Sequence, residues 1–80
     1  MKVKLVAYGI AREILNAREI NWPIVDGQTI AQLKQELISK YPTFGKLSKL
    51  SFAVDEEYRD DAFLLADGVE VVIIPPVSGG

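Results

Sequence analysis

Val69–Ile74 reads VEVVII, a β-branched run interrupted only by Glu70. This stretch constrains the fold more than any other. Alternation of apolar and polar residues marks a strand with one wet face, whereas continuous Val and Ile mark a strand covered on both. The run therefore predicts a strand deep inside a sheet, close to the end of the sequence. A chain of 80 residues has room for one small core. Every other element has to be arranged around this strand.

KVKLVAY alternates, with Val3, Leu5 and Ala7 on one face and Lys2, Lys4, Val6 and Tyr8 on the other. That pattern predicts a first strand over Lys2–Tyr8. Gly9 breaks it, and IAREILN supplies a short helical turn with Ile10, Ile14 and Leu15 turned inward. Ile20, Trp22 and Ile24 alternate again, and Pro23 cannot donate to a ladder, so the second strand belongs at a sheet edge. DGQ is turn chemistry, and the first two strands are expected to be antiparallel.

Thr29 opens the clearest helix. TIAQ has the capping-box form, with Gln32 three residues after Thr29. Ile30, Leu33, Leu37 and Tyr41 follow at helical spacing, and Ile38 widens the stripe. Pro42 disfavours helical geometry at Tyr41 and ends the helix there. Beyond it Phe44, Leu47 and Leu50 are core anchors in a connector, SFAV is a short strand, DEE a turn and YRDD a weak return.

A hairpin first, one long helix in the middle and a buried terminal strand define an α+β arrangement. The last strand lies parallel to the first at the centre of a mixed sheet, and the helix crosses one face. This is the ubiquitin-like β-grasp, expected here as one domain over residues 1–80 with 75–80 as an extended tail.

Composition removes most kinds of chemistry. The chain has no cysteine and no histidine, which excludes disulfides, thiolate nucleophiles, the usual zinc clusters and imidazole bases. A net charge of −2 without a basic run argues against nucleic acid and gives no reason to expect an anionic membrane surface. The N-terminal apolar stretch is brief and charge returns at Arg12, so it reads as a strand and not as a signal peptide or membrane span. Absence of disulfide staples fits a reducing cytoplasm. The acids Asp55, Glu56, Glu57, Asp60 and Asp61 lack the glycine and ligand spacing of a calcium loop and read as a solvated turn. No metal or cofactor is expected on this chain.

The sequence closes on Pro75-Pro76-Val77-Ser78-Gly79-Gly80. Paired prolines fix φ and hold a chain extended, whereas paired glycines have no side chains and can thread a narrow channel. The result is a stiff stem with a slim tip. Ser78 has no base available and serves as a spacer. The reactive group on such a tip is the Gly80 carboxylate. Adenylation would make it an electrophile toward sulfide, a persulfide or an amine.

Three stretches together resemble the small-subunit family of molybdopterin synthase, the ubiquitin-like sulfur carriers of molybdenum cofactor synthesis. They are VAYGIAREI, SFAVDEEY and ADGVEVVIIPPVSGG, and the likeness spans essentially the whole chain. The resemblance implies that Gly80 is adenylated by a partner resembling ubiquitin-activating enzymes, which uses ATP and magnesium, and is then converted to a thiocarboxylate. It implies a large synthase subunit that takes the sulfur to build the molybdopterin dithiolene, the small subunit being non-catalytic on its own. It also makes Tyr58 an apolar contact. This chain has Ala7 where the family often has a second aromatic, and Asp55 where it usually has Asn. Neither departure touches the tail.

Strand alternation places Val6 and Tyr8 on the face away from the helix, with Ile74 beside Tyr8 where the tail departs. Tyr8, Tyr58 and Ile74 are thus the expected partner-binding residues. Arg12 joins them as an ionic contact, with a solvated surface cation as the alternative. Val6 and Val72 either finish a small core or join the contact face. Other functions use the same tail: a thiamine-pathway sulfur carrier, or a protein modifier joined to lysine through Gly80. A plain interaction module would instead leave the tail dispensable.

Overall fold

A computed structural model describes residues 1–47 and 49–76; the tail residues Val77, Ser78, Gly79 and Gly80 lie outside the described residues. Five strands, β1 (Lys2–Ala7), β2 (Glu19–Pro23), β3 (Ser51–Val54), β4 (Glu57–Arg59) and β5 (Glu70–Ile74), form one sheet in the order β2-β1-β5-β3-β4. Two helices, α1 (Gly9–Leu15) and α2 (Ile30–Lys40), and a 3-10 helix over Pro42–Lys46 connect them. β5 pairs in parallel with β1 and antiparallel with β3, at the centre of the sheet. This is the mixed β-grasp sheet expected from the two terminal strands. One long helix, α2, is present as predicted, with α1 as a shorter second helix.

The capping box at α2 is complete. The Gln32 amide donates to Thr29 Oγ1 at 3.3 Å, and the Thr29 amide donates to Gln32 Oε1 at 2.9 Å. A cap of this kind is worth about 1 kcal/mol because it satisfies otherwise orphaned donors. Ile30, Leu33 and Leu37 form the buried stripe of the helix. They meet Val3, Leu5, Val71, Ile73, Phe52 and Val54 in one core cluster.

Two expectations are corrected. Ile10, read as facing inward, is 43% exposed, and Ala11 and Leu15 are the buried residues of α1. Both Ile10/Ile14 and Ala11/Leu15 have helical spacing, and a methyl-sized Ala11 gives little hydrophobic signal in the sequence. Gly9 opens α1 at φ 55, which turns the helix so that the small residue meets the sheet. The second correction concerns β5. Val71 and Ile73 are fully buried, but Val72 and Ile74 are only half-buried, so the strand is covered on one face and not both.

In the β3–β4 hairpin the backbone works against its sequence. Val54 pairs with Glu57, which leaves Asp55 and Glu56 as a two-residue loop at φ 54 and φ 67. A two-residue loop with both φ positive is a type I′ turn, whose favoured sequences are Asn-Gly and Asp-Gly. Asp tolerates this region through its short polar side chain, but glutamate costs about 1–2 kcal/mol there. Glu56→Gly relieves that cost and loses part of it to unfolded-chain entropy. The expected net gain is about 1 kcal/mol, read as a melting temperature roughly 5 °C higher. A melting temperature at or below that of the parent chain overturns the turn assignment.

Candidate functional site: the open sheet face

Strand register determines what lies on the face opposite α2. Val6 pairs with Val72, Val72 with Ala53 and Ala53 with Tyr58, so one row of side chains crosses four strands. At about 4.8 Å per strand the row spans roughly 14 Å. The next row holds Ile74 against Ser51. Tyr8 stands one step past the last β1–β5 pair, Ala7↔Ile73, which brings it level with Ile74. It has left the ladder to become the N-cap of α1, yet its φ of −129° and ψ of 158° are still extended, so the alternation of β1 carries through it.

Tyr8, Tyr58 and Ile74 therefore share one face, which alternation predicts for Tyr8 and Ile74 and the family resemblance implies for Tyr58. Tyr8 is 61% exposed and Tyr58 is 71% exposed. Both are outside the core cluster, as are Val6 and Val72. The alternative left open for Val6 and Val72 is settled in favour of the open face. Ala53 is the member of this face that the sequence did not reveal. It is buried by its neighbours and yet lies outside the core cluster, a small floor between Val72 and Tyr58. Its pairing was the only signal, and pairing is not visible before the sheet order is known. Trp22, read as a packing residue, is buried in the core, and its indole N–H donates to Glu36 Oε1 at 2.9 Å.

Charge is graded along this face. At the end where β5 leaves the sheet, Arg12 and Arg18 border a hollow of about 380 Å³ with Tyr8 and Glu19. Toward the other end, Asp55, Glu56 and Glu70 border a second hollow, of about 430 Å³, with Val72. Between them Lys4 reaches Glu19 at 4.0 Å. Arg12 is exposed and makes no ion pair among the described residues. The surface thus has an apolar centre, a cationic end beside the exit of β5 and an acidic end remote from it. Pro75 and Pro76 follow Ile74 directly, so the chain leaves the sheet at the cationic end.

A family model described as the ThiS family matches residues 6–80. The chain belongs to that family. Its match runs from β1 through the final glycine, so it includes both the open face and the tail. Among curated relatives, a "Molybdopterin synthase sulfur carrier subunit" of Chlamydomonas reinhardtii is 34% identical over the whole of both chains. One of the same name from Arabidopsis thaliana is 30% identical, covering all of this chain and 84% of its own. Among solved structures, SAMP1 from Haloferax volcanii superposes with a TM-score of 0.83 over the whole of both chains at 17% identity. That likeness concerns the ubiquitin-like β-grasp fold alone. Within this ThiS family member, no helix among the described residues is long and apolar enough to cross a membrane.

Proposed function

We propose that this chain is the sulfur-carrying subunit of a molybdopterin synthase, with the Gly80 carboxylate as the group that carries sulfur. The observation that supports it most is the placement of the tail. The strand that contributes Val72 and Ile74 to an open apolar face is the strand that runs on into Pro75. A partner seated on that face lies beside Pro75 and Pro76, through which the chain continues beyond β5. An uncovered apolar face on so small a protein is itself a mark of a partner site. The whole-length likeness to relatives named as synthase sulfur carriers supports the large synthase subunit as that partner.

The chemistry proceeds in two balanced steps on the activating partner. The carboxylate oxygen attacks the α-phosphorus of ATP, giving the acyl-adenylate and pyrophosphate; magnesium held by that enzyme neutralises the phosphates. A sulfide equivalent then attacks the acyl carbon, AMP leaves and a thiocarboxylate remains. This chain supplies no acid, base or metal to either step. It supplies the acyl group, the slim tip and the docking face. The large subunit subsequently accepts the sulfur into the pterin substrate.

Incubation with the activating enzyme, ATP, magnesium and sulfide is expected to raise the mass of the chain by the difference between sulfur and oxygen. Fragmentation is expected to place the gain on Gly80. A gain on any internal residue overturns the proposal. Sulfide-independent appearance of lysine conjugates, with no thiocarboxylate formed, would favour a protein modifier instead.

A further inference from the structure

A further hollow lies away from the open face. It is a groove of about 590 Å³ between β2 and α2, lined by Ile20, Trp22, Ile24, Val25, Lys40 and Tyr41 among others. β2 is also an edge strand, at one end of the sheet. Ala7 N–H donates to the Arg18 carbonyl at 2.8 Å, and Ile24 N–H donates to the Met1 carbonyl at 2.9 Å. These two bonds bracket the β1–β2 ladder. Antiparallel alternation then makes Val3↔Trp22 and Leu5↔Ile20 the hydrogen-bonded pairs. The main-chain groups of Glu19 and Asn21, and the carbonyl of Pro23, consequently point away from the sheet. The opposite edge, β4, is three residues long and carries Glu57 and Arg59 as an ion pair, features that blunt an edge against pairing.

We propose that the β2 edge and its groove accept an extended segment of a partner protein as an added strand, with alternate apolar side chains entering the groove and an acidic residue meeting Lys40. Added strands take affinity from main-chain hydrogen bonds and specificity from alternate side-chain pockets, and both are offered here. Charge selects the flanking residue. The Glu36 carboxylate is engaged by the Trp22 indole at 2.9 Å and the Gln28 amide at 3.1 Å. Lys40 stands 5.5 Å from the Trp22 ring centroid and 5.9 Å from that of Tyr41. It belongs to neither of the ion pairs among the described residues, Lys4–Glu19 and Arg59–Glu57. A cation placed over the aromatic wall of an apolar groove favours an acidic segment. A second copy of this chain fits less well. Antiparallel self-pairing about Asn21 sets Glu19 against Pro23 twice and forfeits a donor at each proline, whereas a foreign strand forfeits one.

The test is a titration of the full chain with a short synthetic peptide of alternating valine and threonine flanked by aspartates, followed by amide NMR. The amides of Glu19 and Asn21 and the Trp22 indole are expected to shift together, and the first two to gain protection from exchange. Asn21→Pro removes a free donor without touching the β1 ladder and is expected to abolish the shifts. Lys40→Glu is expected to weaken binding about fivefold at low salt, the size of a rim charge contact. A peptide flanked by lysines is expected to bind more weakly to the parent chain and regain affinity for Lys40→Glu. No shift at millimolar peptide, or shifts confined to Tyr8 and Tyr58, overturns the proposal. Movement of the Glu19 and Asn21 amides with protein concentration alone would assign the edge to a second copy and overturn it equally.

Discussion

A chain ending at Gly79 is expected to keep its fold and lose sulfur loading altogether. Without cysteine or histidine, no side chain offers a second place to hold sulfur. Removing one residue withdraws the carboxylate by about 3.5 Å along an extended chain. Misplacement of a reacting group by about 1 Å already costs roughly a hundredfold, so adenylation should fall below detection. Folding is a separate matter. Among the described residues the core cluster includes none after Ile73, and β5 ends at Ile74. Melting temperature should therefore match the parent while mass spectrometry shows no gain of sulfur. An added bulky residue after Gly80 should fail in the same assay, by widening the tip and carrying the carboxylate past its target. A Gly79-terminated chain that still supports molybdopterin formation would refute the assignment of the chemistry to Gly80.

Tyr8→Asp and Tyr58→Asp are expected to break the complex with the large synthase subunit while leaving the free chain folded. Both tyrosines are exposed, so a carboxylate in either place stays hydrated in the free protein. Surface substitutions of that kind change stability by about 0.5 kcal/mol or less. Under the proposed docking the same carboxylate would enter an apolar contact. An uncompensated buried charge costs about 3 kcal/mol or more, equivalent to at least a hundredfold in affinity. The two variants lie on separate rows of the face, on either side of Ala53, so their agreement distinguishes a broad docking surface from a single contact. Calorimetric titration against the large subunit gives the affinity, and thermal melting gives the fold. Unchanged affinity in both would move the interface away from this face.

The sequence carried the fold wherever local chemistry decides it. Thr29 and Gln32 announced α2 because both halves of the capping box lie within one turn. Pro23 announced an edge because a missing donor has the same meaning in any sheet. Val71 and Ile73 announced a central strand through sheer apolar content. Local chemistry was silent where the outcome depends on which residues meet across the chain. The contribution of Ala53 depends on its pairing with Val72 and Tyr58, and the Glu36 contact to Trp22 joins residues on different elements. Apolar content also misreported β5. It distinguishes buried from exposed character but not core from open face, so the run read as a strand covered on both faces even though alternation set Ile74 beside Tyr8. The same ambiguity is what made the open face visible once the sheet order was known.

The position of β5 bears on when the protein can be recognised at all. The β1–β2 pair and the β3–β4 pair both precede β5 in the chain, and among the described residues β5 is the strand that joins them. Until residues 70–74 have left the ribosome, the nascent chain holds two unconnected hairpins, and such isolated hairpins are marginal in water. β5 follows the other four strands in chain order, so the contact that joins the two pairs is the last of the sheet to become possible. The row Val6–Val72–Ala53–Tyr58 comes into being at the same moment, because its second member rides on β5. A fragment that stops short of β5 lacks Val72 and Ile74, and with them the continuity of the open face.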